Sequence, residues 1–473
     1  MGYFMDIITS PVCYPQKVTY NLDSDFRISI KLESNPFQLG LDSLFAMAMR
    51  HNKKRGFLFV SKILGKHLAV DPYLSLLGGA ALAAGYLQQI YQIETPCLLE
   101  IMQTFAHKEK AAAVYGKVMD NPLRIPDKTV FIGFAETATA LGYSIFNCFA
   151  GNCGYIHTTR ELIQGLVSTI SFAEEHSHAV AHRCYCLEPE LFHGDHPIVF
   201  VDDEITTGKT VLNIIRAIQQ KFPRKEYGIL SILDWRSEEE QRLFRITEQE
   251  LGIRIQTFSL LSGTIEVTGQ PGFGKCGSNG MGKSGNRPES EIKVLSLGTE
   301  LVSNRVSSHS IDSTGEINKS PYLLATGRFG LTSKHREEVE ELARTIGEKL
   351  KSIRQGSRIL CLGTGEFMYL PMRIAAHLGN GVLYHSTTRS PLRLGTRPDD
   401  IIKNRFCFPS PEDSEIKNYL YNIPQDFYDE LYIFLERDWP QDRIRPLRHT
   451  LKSLGIPRVY IVICGPSEKS GGC

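Results

Sequence analysis

Residues 26–32 (FRISIKL) alternate apolar and polar side chains, the period-two pattern of a strand with one buried face. Residues 56–61 (GFLFVS) form a short apolar run that ends in polar residues, also read as a strand. Residues 73–87 are apolar almost throughout and follow Asp71. At about 15 residues the stretch falls short of the roughly 20 needed to cross a bilayer, so it reads as a buried helix. Helical composition continues to residue 115, interrupted near Glu94–Pro96. From 129 to 263 strand patterns at 129–134, 197–201, 227–233 and 253–261 alternate with helical patterns at 137–146, 210–220 and 237–251. That rhythm predicts an α/β fold, a parallel sheet flanked by helices.

The pattern breaks at 268–289 (TGQPGFGKCGSNGMGKSGNRPE), where seven glycines leave almost nothing to bury. Beyond it, 334–353 reads as a charged amphipathic helix, 369–378 as a second helix, and 358–362, 431–435 and 458–463 as strands. The expected organisation is a first α/β domain over 1–265. A Gly/Ser-rich insert or linker over 266–315 and a second α/β domain over 316–473 follow. Composition narrows the function classes. Fifty-three basic against 52 acidic residues give a net charge of +1, so no global field draws the chain to nucleic acid or an anionic membrane. The start MGYFMDIITS has no basic n-region or clean apolar stretch. The 11 cysteines lack framework spacing, and reduced thiols in a cytoplasmic protein are the expectation.

The densest chemical signal is IVFVDDEITTGKT at 198–210. Four apolar residues end in two acids, and Glu204, Ile205, Thr206, Thr207, Gly208, Lys209 and Thr210 lead into an apolar-periodic helix. The carboxyl end of a parallel strand is where α/β sheets bind ligands. Amide N–H groups at a helix start, threonine hydroxyls and a glycine that permits close approach suit a phosphate. The two acids suit vicinal hydroxyls and a divalent cation bridging to phosphate.

This segment resembles the 5-phosphoribosyl-1-diphosphate (PRPP) signature of type I phosphoribosyltransferases at every fixed position. The resemblance implies that Asp202 and Asp203 face the ribose hydroxyls and Mg²⁺, while Thr206, Thr207, Gly208, Lys209 and Thr210 hold the 5′-phosphate. GFAETATALG (133–142) resembles the family's pyrophosphate loop, with Glu136 and Thr137 where many members carry an arginine. The polar stretch from His157 to Arg183 resembles a mobile flap, with Arg160 and Arg183 placed to neutralise pyrophosphate. The run 55–67 (RGFLFVSKILGKH) is similar to a hood over the acceptor, with Ser61, Lys62 and Lys66 as contacts. His178 and His182 would share a helix face. With Glu175 or His176 they form a candidate metal set, or else line an anionic pocket.

The whole pattern resembles divergent orotate phosphoribosyltransferase-like proteins of tellurite-resistance and stress operons. In these a domain named for a Thr-Arg-Ser-Pro motif follows the catalytic one. That motif stands here at Thr388, Arg389, Ser390 and Pro391. The resemblance implies phosphoribosyl transfer to a base-like or other small nucleophile, with release of pyrophosphate, in making a nucleoside-like molecule. Small-molecule substrates, enzymes of the same pathway and a second copy of the chain are the implied partners, and neither nucleic acid nor membrane is. A non-catalytic PRPP- or nucleotide-binding regulator is the alternative. ILCLGTGEFMYLPMRIA (359–375) repeats the layout of the first pyrophosphate loop, HSTTR (385–389) echoes HTTR (157–160), and IFLERD (433–438) echoes VFVDDE (199–204). The second domain therefore reads as a degenerate copy, or as an unrelated α/β unit. Its candidate site residues are Arg389, Ser390 and Glu366, expected to hold an anion that PRPP binding does not need. GSNGMGKS (277–284) matches a nucleoside-triphosphate loop without the strand and helix such a loop requires.

Overall fold

The computed structural model describes residues 17–52, 55–173, 181–271, 290–297 and 304–465. The N-terminal decapeptide, Glu175, His176, His178 and the 277–284 match lie outside the described residues, as does most of the glycine-rich stretch.

Two sheets carry the fold. Strands Arg254–Thr268, Glu226–Asp234, Ile198–Ile205, Thr129–Gly133 and Cys153–His157 lie side by side in that order, all parallel. Every residue of Thr129–Gly133 and Cys153–His157 is buried, as for strands of a parallel sheet covered on both faces. Arg27–Ser34 extends the sheet antiparallel to Arg254–Thr268, and Lys17–Asn21 pairs with it in turn. The second sheet holds Glu291–Ser296, Arg458–Ile463, Glu430–Leu435, Ile359–Gly363 and Val382–Ser386 in that order, again all parallel. Glu291–Ser296 thus turns part of the 266–315 stretch, expected as linker, into a strand of the second sheet. Ala181–Cys184 is a strand paired with Ile170–Ala173, so His182 lies on no helix and the shared-face reading with His178 does not hold.

The two halves repeat one another. The order Cys153–His157, Thr129–Gly133, Ile198–Ile205, Glu226–Asp234 recurs as Val382–Ser386, Ile359–Gly363, Glu430–Leu435, Arg458–Ile463. Gly133 pairs with His157 as Gly363 pairs with Ser386, which sets Glu136 and Glu366 at matching places three residues on. Val201 faces Gly133, while Ile433 faces Leu362. Carrying that register one residue on sets Glu436 at the place of Asp203, one residue away from the alignment expected from IFLERD.

The halves also exchange edges. Leu331–Thr332, of the second half, pairs antiparallel with Cys153–His157 of the first. Val70 of the first half exchanges two backbone hydrogen bonds with Tyr384 of the second, at 2.9 and 2.7 Å. Each crossing begins at a left-handed glycine under a tyrosine of the other half. Gly65 (φ 66°) would place a Cβ 2.7 Å from the Tyr384 ring, and Gly327 (φ 85°) one 2.4 Å from the Tyr155 ring. A 19-residue helix follows each crossing: Pro72–Ile90, capped by Asp71, and His335–Ile353. The first is buried at every residue from Leu74 to Leu87, the buried helix expected from its apolar run. Tyr143 and Tyr369 stack at 3.7 Å where helices Ala138–Asn147 and Tyr369–His377 meet between the sheets.

Candidate active site

A cleft of about 390 Å³ opens over the carboxyl ends of Thr129–Gly133 and Ile198–Ile205. This is where the strand order of the first sheet reverses. Asp202 and Asp203 reach it because the apolar run 198–201 fills the sheet and leaves the two acids at the strand end. The chain then turns at Gly208, whose left-handed conformation (φ 71°) puts it against the Phe244 ring, and helix Lys209–Lys221 begins. A Cβ on Gly208 would lie 2.5 Å from that ring, so the tight turn admits only glycine without displacement. Thr207, Gly208 and Thr210 line a wider extension of about 670 Å³, which shares Asp202, Glu204, Thr206, Arg50 and Arg55 with the cleft.

Acidic and basic groups meet at close range. Lys66 is 3% exposed, and its Nζ lies 2.8 Å from Oε2 of Glu136. Burial pushes the Glu136 carboxyl up, but the charges of Lys66, Arg389 and Arg160 outweigh it and hold the group below its ordinary value. Oε1 of Glu136 is buried with no hydrogen-bond partner. Arg55 pairs with Glu204 and donates to Thr206 Oγ1 at 3.3 Å, while its guanidinium covers the Phe57 ring at 4.6 Å. Burial, joined by the Asp203 charge, pushes the Asp202 carboxyl well up, and burial also raises Asp203. His182 hydrogen-bonds through Nδ1 to Thr158 Oγ1 at 3.0 Å and lines the cleft.

The structure brings most of the expected residues together. Asp202, Asp203, Thr206, Thr210, Glu136, Thr137, Ser61 and Arg160 line the cleft. Thr207 and Gly208 line the extension, and Lys209 opens the helix behind them. Lys62 does not line either part; its Nζ donates to the Asp42 carbonyl at 2.8 Å. Arg183 pairs through its backbone with Thr159 beside the cleft. Arg389 and Ser390 line this same cleft rather than a separate anion site in the second half. Glu366 lies behind the wall, where its Oε1 accepts the Arg160 backbone N–H at 2.9 Å.

Arg50, Arg55 and Trp235 line the cleft or its extension and carried no assignment in the sequence. The two arginines flank the turn between strands Phe45–Met49 and Phe57–Ser61, which pair as a hairpin. The signal was present as two apolar runs separated by a basic turn, RHNKKRG. Trp235 follows strand Glu226–Asp234, stacks on Phe59 at 5.1 Å, and carries a buried indole N–H with no partner.

The matching place in the second half is filled. Arg328, 1% exposed, holds both carboxylate oxygens of Glu436 at 2.8 and 2.7 Å, and reaches Glu366 at 3.4 Å and Glu161 at 3.3 Å. Helix Gln441–Ser453 starts after Pro440 with no left-handed glycine, so the turn formed by Gly208 in the first half has no counterpart here.

Residues 44–264 match the family described as "Phosphoribosyl transferase", and residues 325–451 match "TRSP domain C terminus to PRTase_2". No curated protein matches the chain. Among solved structures, adenine phosphoribosyltransferase from Trypanosoma brucei is 15% identical, over 33% of this chain and 66% of that one, with a TM-score of 0.23. The Giardia lamblia enzyme is 14% identical over 34% and 83%, with a TM-score of 0.21. The Saccharomyces cerevisiae enzyme is 12% identical over 35% and 81%, with a TM-score of 0.21.

Proposed function

Because the chain joins a type I phosphoribosyltransferase-fold domain to a TRSP domain, we propose that it transfers the phosphoribosyl group of PRPP to a small nucleophilic acceptor and releases pyrophosphate. The observation that carries this reading is the strand-to-helix turn from Asp202 to Thr210 on the floor of a cleft at the switch point of the sheet. The 5′-phosphate sits in the 206–210 turn, against backbone N–H groups and the helix start. The ribose hydroxyls face Asp202 and Asp203. The diphosphate lies toward the Gly133–Thr137 loop, within reach of Arg160. The extension beyond Thr206, with Phe57 and Trp235 on its wall, receives a planar acceptor.

Among the described residues no group of three or more His, Cys, Asp and Glu side chains is poised for a metal ion. The donors nonetheless fit Mg²⁺, which takes one or two carboxylates and completes its shell with substrate phosphates and water. Asp202 and Asp203 are adjacent hard oxygen donors whose burial disfavours their charge, a cost that a divalent cation relieves. Bound there, Mg²⁺ supplies neutralising charge for the departing pyrophosphate. Asp202 and Asp203 orient the ribose, and the enclosed cleft keeps water from the carbon that reacts.

One observation favours a second reading, a PRPP-sensing protein without turnover: Glu136 and Lys66 neutralise one another in the loop where the diphosphate is placed. Pyrophosphate release, followed with PRPP, Mg²⁺ and a panel of nitrogen heterocycles, separates the two. Release that depends on one heterocycle supports transfer. Tight PRPP binding with no release across the panel supports the sensor. Absence of PRPP binding defeats both.

A further inference from the structure

The loop carrying Thr388-Arg389-Ser390-Pro391 has the same hydrogen bonds as the loop carrying Thr158-Thr159-Arg160 in the first half. Thr158 N–H donates to Gly133 O at 2.9 Å, and its Oγ1 accepts from Ala135 N–H at 2.9 Å. Thr387 N–H donates to Gly363 O at 3.1 Å, and its Oγ1 accepts from Gly365 N–H at 2.9 Å. Glu161 N–H reaches Thr159 Oγ1 at 3.1 Å, as Ser390 N–H reaches Thr388 Oγ1 at 3.2 Å. Thr159 pairs with Arg183 and Thr388 with Tyr419, each a residue of a neighbouring hairpin. Four matched contacts make Arg389 the counterpart of Arg160.

Each loop also crosses to the other half. Arg160 donates its backbone N–H to Glu366 at 2.9 Å, at the closed place of the second half. Arg389, with Thr388 and Ser390, lines the open cleft of the first half. Its Nη2 lies 3.1 Å from Glu412, while its Nε is buried without a partner. Its charge helps hold the Glu136 carboxyl down, which places it on the diphosphate side of the cleft. Among the described residues that line the cleft, Lys66 is committed to Glu136 and Arg55 to Glu204. The remaining arginines on the wall are Arg50, Arg160 and Arg389.

We propose that Arg389 is a catalytic residue of the first half's reaction, gripping the diphosphate of PRPP from the second half, so that the TRSP domain completes the active site as a built-in partner. The proposal rests on the phosphoribosyl reading above. In the step it serves, the C1–O bond breaks and its electron pair leaves with the pyrophosphate oxygen. The acceptor's lone pair forms the new bond to C1, and the acceptor's proton passes to solvent. Arg389 offers its guanidinium charge and N–H donors to the oxygens that gain charge.

Titration calorimetry with Mg²⁺ on the full chain tests this with two ligands, PRPP and ribose 5-phosphate, which differ by the diphosphate. Arg389→Gln should weaken PRPP roughly 10- to 100-fold, the loss of one charged hydrogen-bond donor, and leave ribose 5-phosphate within about twofold. Arg389→Lys, which keeps the charge and guards against a folding defect, should recover part of the PRPP affinity. Unchanged PRPP affinity in Arg389→Gln would overturn the proposal. So would a parallel loss for both ligands, the mark of a purely structural role. If the unaltered chain binds ribose 5-phosphate but not PRPP, or neither, the phosphoribosyl reading itself fails, a result seen before any variant is compared.

Discussion

Replacing Arg328 by Met keeps roughly the aliphatic stem of the side chain and removes one guanidinium from a place that is 1% exposed. The guanidinium is shared by Glu436, Glu366 and Glu161, and lies 4.9 Å from the centre of the Tyr322 ring. Without it those carboxylates face one another, with Arg437, 3.8 Å from Glu161, as a cation beside them. Breaking a buried ion pair from one side costs about 3–5 kcal/mol. Proton uptake sets a second scale: neutralising one carboxyl of ordinary pKa 4.5 at pH 7 costs about 3.4 kcal/mol. One or two such protonations restore balance, so the expected loss at pH 7 is about 3–7 kcal/mol. The sign with pH follows. In the variant the folded carboxyls have pKa values above their unfolded ones, so the folded state binds more protons. Its deficit shrinks as pH falls, by about 1.4 kcal/mol per unit for each proton taken up. Urea unfolding at pH 7 and 5.5, followed by tryptophan fluorescence, reads this out; Trp439 lies beside Arg437 in the same region. A loss under about 1 kcal/mol, or one that does not change with pH, would refute the reading of Arg328 as the charge that fills the second half's site.

Changing Asp202 and Asp203 together to Asn should leave the melting temperature within a few degrees or raise it, since burial disfavours both charges, while PRPP turnover falls at least 100-fold; equal turnover removes them from the site. Gly208→Ala puts a methyl about where Phe244 stands and forces a left-handed residue, so the KM for PRPP should rise and stability fall by about 1–2 kcal/mol in thermal melts. Glu340 bonds Arg373 and His377 across two helices of the second half, and its carboxyl is held down to about 2, with burial opposing and those partners prevailing. Its stabilisation is therefore present above pH 4.5 and lost as pH falls toward 2, so Glu340→Gln should cost about 1–2 kcal/mol at pH 7, a difference that closes in melts at pH 2–3.

Many strands and helices of both sheets were legible because buried parallel strands and amphipathic helices write their periods into the chain, as at 198–201 and 335–353. The loop from Asp202 to Thr210 was legible because its glycine and threonines are demanded by a local turn. Strand Cys153–His157, with its histidine and glycine, and the short pairing Leu331–Thr332 carry no such local signal and depend on neighbours far along the chain. The same holds for Lys66 and Arg328. Lys66 was expected as a contact of the hood, yet it and Arg328 are each buried against carboxylates because a glycine lets the chain cross under a tyrosine of the other half. Arg389 was found from its motif, but its destination was not, since the crossing of the two halves is a property of the packed pair.

The central claim is that the chain carries one PRPP site, seated on the first half and completed by Arg389, while the matching place in the second half is closed. Titration calorimetry of the full chain with PRPP and Mg²⁺, beside the Asp202→Asn, Asp203→Asn double variant, tests it most directly. The account predicts saturation at one PRPP per chain, lost in the double variant. Two PRPP per chain, no binding, or one PRPP that survives the double substitution would contradict it.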